Sequence, residues 1–218
     1  MRMALILALA GSPAWAQNVS DEDVCTSCET IYAQICNRVS PSVVAIRVER
    51  DKEEKRSSGN FGGFGAMMDG GVFKYRPATS PVSGTVIDSD GWIITTHFNI
   101  SGKIKSIKVC LPDGRELEGT LKGYNATFDV ALIKIEAIGL ATLKKGNLKD
   151  LKTGQFVAAL GRAPDGQHLT FNQGIVSAPW RLSGRGIQVD ARLNFGNVGG
   201  PLVDREGRLL GITCKVDV

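Results

Sequence analysis

From residue 43 onward, apolar residues recur in short blocks that are separated by polar turns. This pattern is typical of β-strands joined by hairpins. Three of the turns are Ser89-Asp90-Gly91, Pro112-Asp113-Gly114 and Asp204-Arg205-Glu206-Gly207. Because glycine adopts positive φ without a steric penalty, each turn lets the chain reverse between two strands. Short strands at this spacing predict an all-β fold, either a barrel or a sandwich.

The segment before these strands has a helical pattern instead. One apolar stripe, at about 100° per residue, is formed by Val24, Cys28, Ile31 and Ile35. Cys25, Cys28 and Cys36 project from one side of the same predicted helix. Three thiols so placed allow a metal or redox site, or packing and a structural disulfide. A lone Cys-x-x-Cys without further ligands favours the structural interpretation.

The first sixteen residues predict an export signal, which is excluded from the fold. A short basic start, Met1-Arg2-Met3, precedes the apolar run from Ala4 to Ala10, and Ala14-Trp15-Ala16 resembles a cleavage site. We therefore expect a signal peptide at 1–16 and export to the periplasm, the cell envelope or the medium. No later stretch approaches the ~18 apolar residues of a membrane helix, so no integral membrane segment is expected after cleavage.

Composition excludes some function classes without selecting one. Of the 218 residues, 43% are hydrophobic and 22% are charged, which is ordinary for a folded domain. The net charge of +4 is dispersed, so nucleic-acid binding is not expected. The five cysteines leave at least one thiol without an internal disulfide partner. No motif indicates a cofactor.

Residues 57–81 interrupt the strand pattern with a glycine-rich insert. Its glycines are Gly59, Gly62, Gly63, Gly65, Gly70 and Gly71. A segment of this composition buries little apolar surface, so we predict a long surface loop within the first part of the fold.

Three of several separated blocks are, in chain order, Ser83–Thr96, Phe128–Ile135 and Asn194–Leu202. In order and spacing the blocks resemble the Deg/HtrA-type envelope serine proteases, where these three are similar to the segment leading to the catalytic histidine, the aspartate segment and the nucleophile loop, respectively. The resemblance covers residues 37–215 and implies a trypsin-like double six-stranded antiparallel β-barrel. After a cysteine-bearing helix at 17–40, it implies a first barrel at 41–140 and an incomplete second barrel at 141–218.

Carried onto this sequence, the resemblance places the catalytic triad at Phe98, Asp129 and Val198. Phe98, seven residues after the turn glycine Gly91, cannot accept a proton, and Val198 has no nucleophilic atom. His97 is the neighbouring residue, but a shift of one position turns a side chain away unless a bulge restores it. The backbone amides of residues 196 and 198 (Gly196 and Val198) are the expected remnant of the oxyanion hole.

The retained carboxylate of Asp129 needs another partner, because a buried carboxylate without one is costly. We expect Asn99, Thr96 or a rotated His97 to provide it. Any hydrolysis left after the loss of both base and nucleophile is expected to be negligible.

The sequence therefore favours an exported protein that has lost peptidase activity and acts as a binding or scaffold module. Its expected partners are proteins or extended peptides, including an active protease or a second copy of the chain. Two alternatives stay open. One is a serine-type endopeptidase with a non-standard catalytic set, and the other is a thiol or metal module built on Cys25, Cys28 and Cys36.

Overall fold

Helix and strands follow one another in the order that the hydrophobic pattern predicts. The computed structural model describes residues 21–50, 81–162, 167–182, 184–194 and 196–214. The predicted signal peptide at 1–16 and almost all of the insert at 57–81 lie outside these residues. The chain divides into two compact units, residues 1–34 and 35–218. In the first of these, the described residues belong to a single helix, α1, which spans Asp21–Val39.

Six strands form the first half of the larger unit. They are β1 (Val43–Arg50), β2 (Val82–Asp88), β3 (Trp92–Thr95), β4 (Ile104–Cys110), β5 (Glu116–Asn125) and β6 (Val130–Ile135). They close into an antiparallel barrel in the order β1-β2-β3-β6-β5-β4. Buried and half-buried residues alternate along β6, as the period of two requires for a strand with one face on the core. Ile93 of β3 pairs with Ile133 of β6, and both side chains are fully buried inside the barrel.

Among the described residues, five strands form the second half. They are β7 (Phe156–Arg162), β8 (Leu169–Arg181), β9 (Gly186–Val189), β10 (Pro201–Asp204) and β11 (Leu209–Ile212). Their order in the sheet is β11-β10-β7-β8-β9, and among the described residues this sheet does not close. The predicted all-β fold with a short N-terminal helix is confirmed, and over the described residues the first barrel is closed and the second sheet is open.

A shared apolar layer joins the second sheet to the barrel and to the end of α1. Its buried members are Ile35, Val39, Val43, Ala158, Leu160 and Val203. The buried Arg162, at the end of β7, donates to the Val43 carbonyl at 2.6 Å and to the Ser40 carbonyl at 2.8 Å. These bonds fix β7 against the start of β1, and thereby fix the loops that the two halves hold between them.

Within the described residues, no helix combines the length and the apolar content that crossing a membrane requires.

Candidate functional site

The three residues expected at the triad positions lie on segments that the fold brings together. Phe98 begins a 3₁₀ turn, Phe98–Ile100, shortly after β3, and Asp129 immediately precedes β6. The Phe98 amide donates to Asp129 Oδ1 at 2.8 Å. In the next residue, Asn99 Nδ2 donates to the Val198 carbonyl at 2.9 Å. The turn after β3 therefore connects the aspartate to the loop that precedes β10.

Asp129 has the electrostatics of a half-buried carboxylate held by main-chain donors. Burial raises its pKa, while the amides of Phe98 and His97 and the charge of the His97 side chain partly oppose that rise. Its backbone has φ 49°, in the left-handed region where aspartate is tolerated better than most residues. Instead of orienting an imidazole, the carboxylate accepts the first amide of the 3₁₀ turn.

The three side chains expected to serve Asp129 do not do so through their own hydrogen bonds. Buried Asn99 donates to the Val198 carbonyl and, at 3.3 Å, to Thr95 Oγ1, so its expected role as partner of the carboxylate is wrong. Thr96 Oγ1 accepts from the Asn99 amide at 3.3 Å. The imidazole of His97 stacks on the ring of Tyr124, with centroids 4.4 Å apart and planes inclined by 18°. His97 acts on Asp129 through its charge and its amide.

The loop around Val198 is closed, in the sense that its valine is buried and its amides are hydrogen-bonded within the loop. The Val198 side chain is only 3% exposed. Its amide donates to the Asn194 carbonyl at 3.3 Å, and the Gly196 amide donates to Asn194 Oδ1 at 2.8 Å. An oxyanion hole requires donors that are directed at the position of the developing charge. Here Asn194 accepts hydrogen bonds from both expected donors. An oxyanion would have to replace both of these bonds.

The paired glycines of this loop are required by packing. Gly199 has φ +90°, and a Cβ built on it would lie 2.2 Å from the Ser83 carbonyl oxygen and 2.3 Å from Thr95 Oγ1. A Cβ on Gly200 would lie 2.0 Å from the Leu160 carbonyl oxygen. No other residue fits at either position without moving backbone. The glycine signature of a nucleophile loop therefore has a structural role here that does not depend on a serine.

Ser83 is a site residue that the sequence analysis did not identify. Its hydroxyl donates to the Gly196 carbonyl at 2.5 Å and accepts from the Arg162 amide at 2.7 Å. The side chain is fully buried, so it holds the loop against the barrel and is not accessible to a substrate. Nothing in its local sequence distinguishes it, since its partners lie 113 and 79 residues away.

Cys214 is the nucleophilic side chain that lies beside the aspartate. It is half-buried, and burial together with the negative charge of Asp129 raises the pKa of its thiol. A raised pKa reduces the thiolate fraction, and the thiolate is the reactive form. The position therefore disfavours nucleophilic attack by this thiol.

Among the described residues, no set of side chains is assembled that would support the thiol or metal hypothesis. All five cysteines are free thiols, with Cys25 exposed and Cys28 and Cys36 half-buried. Across the part of the chain that the structure describes, no three His, Cys, Asp or Glu side chains are grouped so that they could hold a metal ion.

Comparison with known proteins shows the family of this chain. A trypsin-like peptidase domain matches residues 82–212. A probable periplasmic serine endoprotease DegP-like of Halomonas elongata is 34% identical over 98% of this chain and 48% of its own length. A protein of the same description from Pseudomonas fulva is 40% identical over 67% of this chain and 31% of its own. The putative serine protease HhoB of Synechocystis is 31% identical over 84% of this chain and 47% of its own.

This chain spans less than half the length of these curated relatives. The matched residues contain five of the six barrel strands, β2 to β6, together with the second sheet and the closed loop between β9 and β10. Together, the order of the strands, the position of the loop and these matches place the chain in a family: it belongs to the Deg/HtrA serine proteases, with their trypsin-like fold.

Proposed function

We propose that this chain is an exported member of its family that has lost peptidase activity and binds extended peptides or proteins. The observation that carries the proposal is the closed loop at Val198. A buried valine stands where the resemblance expects the serine, and Asn194 accepts from both amides of the expected oxyanion hole. This loop therefore provides neither a nucleophile nor free amides to stabilise an oxyanion.

The proton-transfer side of the site supports the same proposal. Phe98 stands where the histidine is expected, and the carboxylate of Asp129 is bonded to the main chain of that residue. The adjacent imidazole of His97 is stacked on Tyr124. By comparison with the removal of a complete triad, we expect turnover about 10⁶-fold below that of an intact site.

The binding role rests on the second sheet. β9 and β11 are its outermost strands among the described residues. The outer edge of β11 is bridged at Leu209, whose amide donates to the Lys144 carbonyl at 2.8 Å. Among the described residues β9 pairs with β8 alone, and an extended peptide added to its other edge would continue the main-chain hydrogen bonds of the sheet. Export is supported by the periplasmic description of the relatives.

A fluorophosphonate probe tests the loss of activity. The purified chain is incubated with the probe and read by intact mass, beside the double variant Phe98→His and Val198→Ser. We expect no adduct on the wild-type chain. An adduct at any mapped residue of the wild type would contradict the proposal and would favour a peptidase with a non-standard catalytic set.

Peptide binding is tested separately by fluorescence anisotropy. A labelled extended peptide from an unfolded protein is compared with the same peptide N-methylated at alternate residues. Because main-chain pairing needs the peptide N–H groups, we expect the N-methylated peptide to lose binding. Equal binding of both peptides, or binding of neither, would refute strand addition as the mode of recognition.

A further inference from the structure

The strand pairings of the second sheet repeat those of the barrel. β7 pairs with β8 as β1 does with β2, and β8 pairs with β9 as β2 does with β3. Likewise, β10 pairs with β11 as β4 does with β5, and β7 pairs with β10 as β1 does with β4. The barrel pairings without a counterpart among the described residues are those of β6, with β3 and with β5. The position of β6 therefore corresponds, in the second sheet, to the position between β9 and β11.

The residues of β6 show what a strand in this position contributes. Buried and half-buried side chains alternate along it, and Ala131, Ile133 and Ile135 belong to the buried core of the barrel. Ile133 lies opposite Ile93 of β3, and neither side chain is exposed. Residues directly opposite one another in an antiparallel pair share one face of the sheet. A strand in this position is therefore held by main-chain hydrogen bonds and by an apolar side chain at every second residue.

β9 carries apolar side chains that such a strand would cover. Ile187 and Val189, two residues apart, pack against the core of the second sheet, yet both are only half-buried. Ile93, on the corresponding strand β3 with β6 beside it, has no exposed surface. Gln188, between the two apolar residues of β9, is exposed, as the alternation of a strand requires.

We infer that, among extended peptides, this chain selects those with an apolar residue at every second position. The inference rests on the proposed function, because it concerns the same edge of β9. Peptide residues opposite Ile187 and Val189 would face the core, and the residue opposite Gln188 would face solvent. A peptide with its apolar residues in one block would have to place a polar residue on the core face or an apolar residue in water.

Fluorescence anisotropy with the purified chain compares two labelled peptides of identical composition. Each has a six-residue core, the length of β6, made of equal numbers of valine and threonine and flanked by the same lysines. In one peptide the valines alternate with the threonines, and in the other they form one block. The variant Ile187→Thr changes the core face of β9, and Gln188→Thr places the same residue on the solvent face as the matched control. Circular dichroism verifies that both variants are folded.

We expect the alternating peptide to bind at least about tenfold more tightly than the blocked peptide. Ile187→Thr should reduce this preference at least about threefold, and Gln188→Thr should leave it unchanged. Equal binding of the two peptides would overturn the inference and leave the proposed function standing, whereas binding of neither would overturn both. A preference that Ile187→Thr does not reduce would also overturn the inference. So would a chain that light scattering shows to be dimeric without peptide and that Ile187→Thr makes monomeric, because a second copy would then occupy the edge of β9.

Discussion

The first barrel and the second sheet have the same order of strands, but only the barrel closes within the described residues. The barrel has the order β1-β2-β3-β6-β5-β4, and the second sheet repeats it as β7-β8-β9 and β11-β10, with no described strand between β9 and β11. Of the described residues, twelve form the buried core of the barrel and seven form a separate buried core of the sheet. The sheet shares a further layer with β1 and the end of α1. The barrel is thus self-contained, while the sheet depends on its neighbour.

The loop at Val198 contacts both halves. It is held by Ser83 and Asn99 from the barrel side, and by the backbone of β7 against Gly200. The conformation of the loop is therefore set by the packing between the two halves. This explains how a glycine-rich motif keeps its shape in a chain without the serine.

The largest effect expected is that of Gly199→Ala. The new Cβ would lie 2.2 Å from the Ser83 carbonyl and would require a positive φ, so the loop must leave the barrel. We expect a loss of more than about 4 kcal/mol in the free energy of unfolding, measured by urea denaturation. Gly211→Ala is the control, because a Cβ there meets nothing within 4 Å, and it should change stability by less than about 1 kcal/mol. Similar losses in the two variants would show that the loop is not fixed by the barrel.

A second pair of variants compares the two cores directly. Ile133, fully buried inside the closed barrel, is replaced by Ala, and so is Leu210, which is 6% exposed in the sheet. A closed ring relaxes less around a cavity than an outer strand does, so we expect losses of about 4 kcal/mol and about 2 kcal/mol, respectively. Urea denaturation of both variants gives the comparison. A cost at Leu210 equal to that at Ile133 would mean that the sheet packs as rigidly as the barrel.

Removal of the Ser83 hydroxyl should have a smaller effect. Ser83→Ala deprives the Gly196 carbonyl and the Arg162 amide of a buried partner, at a cost of about 1–3 kcal/mol. Ser106→Ala removes a surface hydrogen bond to Glu49 and should cost less than about 0.5 kcal/mol. Hydrogen exchange at the Val198 amide adds a local measurement. If exchange there is unchanged in Ser83→Ala, the hydroxyl does not hold the loop.

Much of this fold could be predicted from local signals. The Asp90-Gly91 and Asp113-Gly114 turns mark hairpins that the structure contains, because their glycines adopt positive φ. The hydrogen bonds of the site were harder to predict from the sequence, because they depend on the directions of main-chain groups and on contacts between distant residues. The hydrogen bond from the Phe98 amide to Asp129 cannot be recognised in the sequence, because its donor is a main-chain group that every residue except proline has. One local signal existed: an Asn whose side chain accepts from the amide two residues later is a common turn, as Asn194 and Gly196 form here.

The smallest effect expected is that of Asp129→Asn, which tests the aspartate on the barrel side of the loop. Asparagine keeps an oxygen for the Phe98 amide but removes the half-buried charge. Burial raises the pKa of Asp129 in the folded state above its unfolded value of about 3.9, so the folded state holds its proton to higher pH. The contribution of Asp129 to the free energy of unfolding of the wild type is therefore fully present below the unfolded pKa, and it is lost as the pH rises through the folded pKa.

The Asp129→Asn chain should consequently be more stable than the wild type at neutral pH, by less than about 1 kcal/mol after solvent screening. The advantage should vanish below about pH 3, and a melting-temperature series from about pH 2.5 to about pH 8 measures it. The same substitution removes the negative charge beside Cys214, so the pKa of that thiol should fall and its alkylation should begin at lower pH. A variant less stable than the wild type at pH 7 would mean that His97 and the main-chain amides outweigh burial. The carboxylate would then stabilise the closed site.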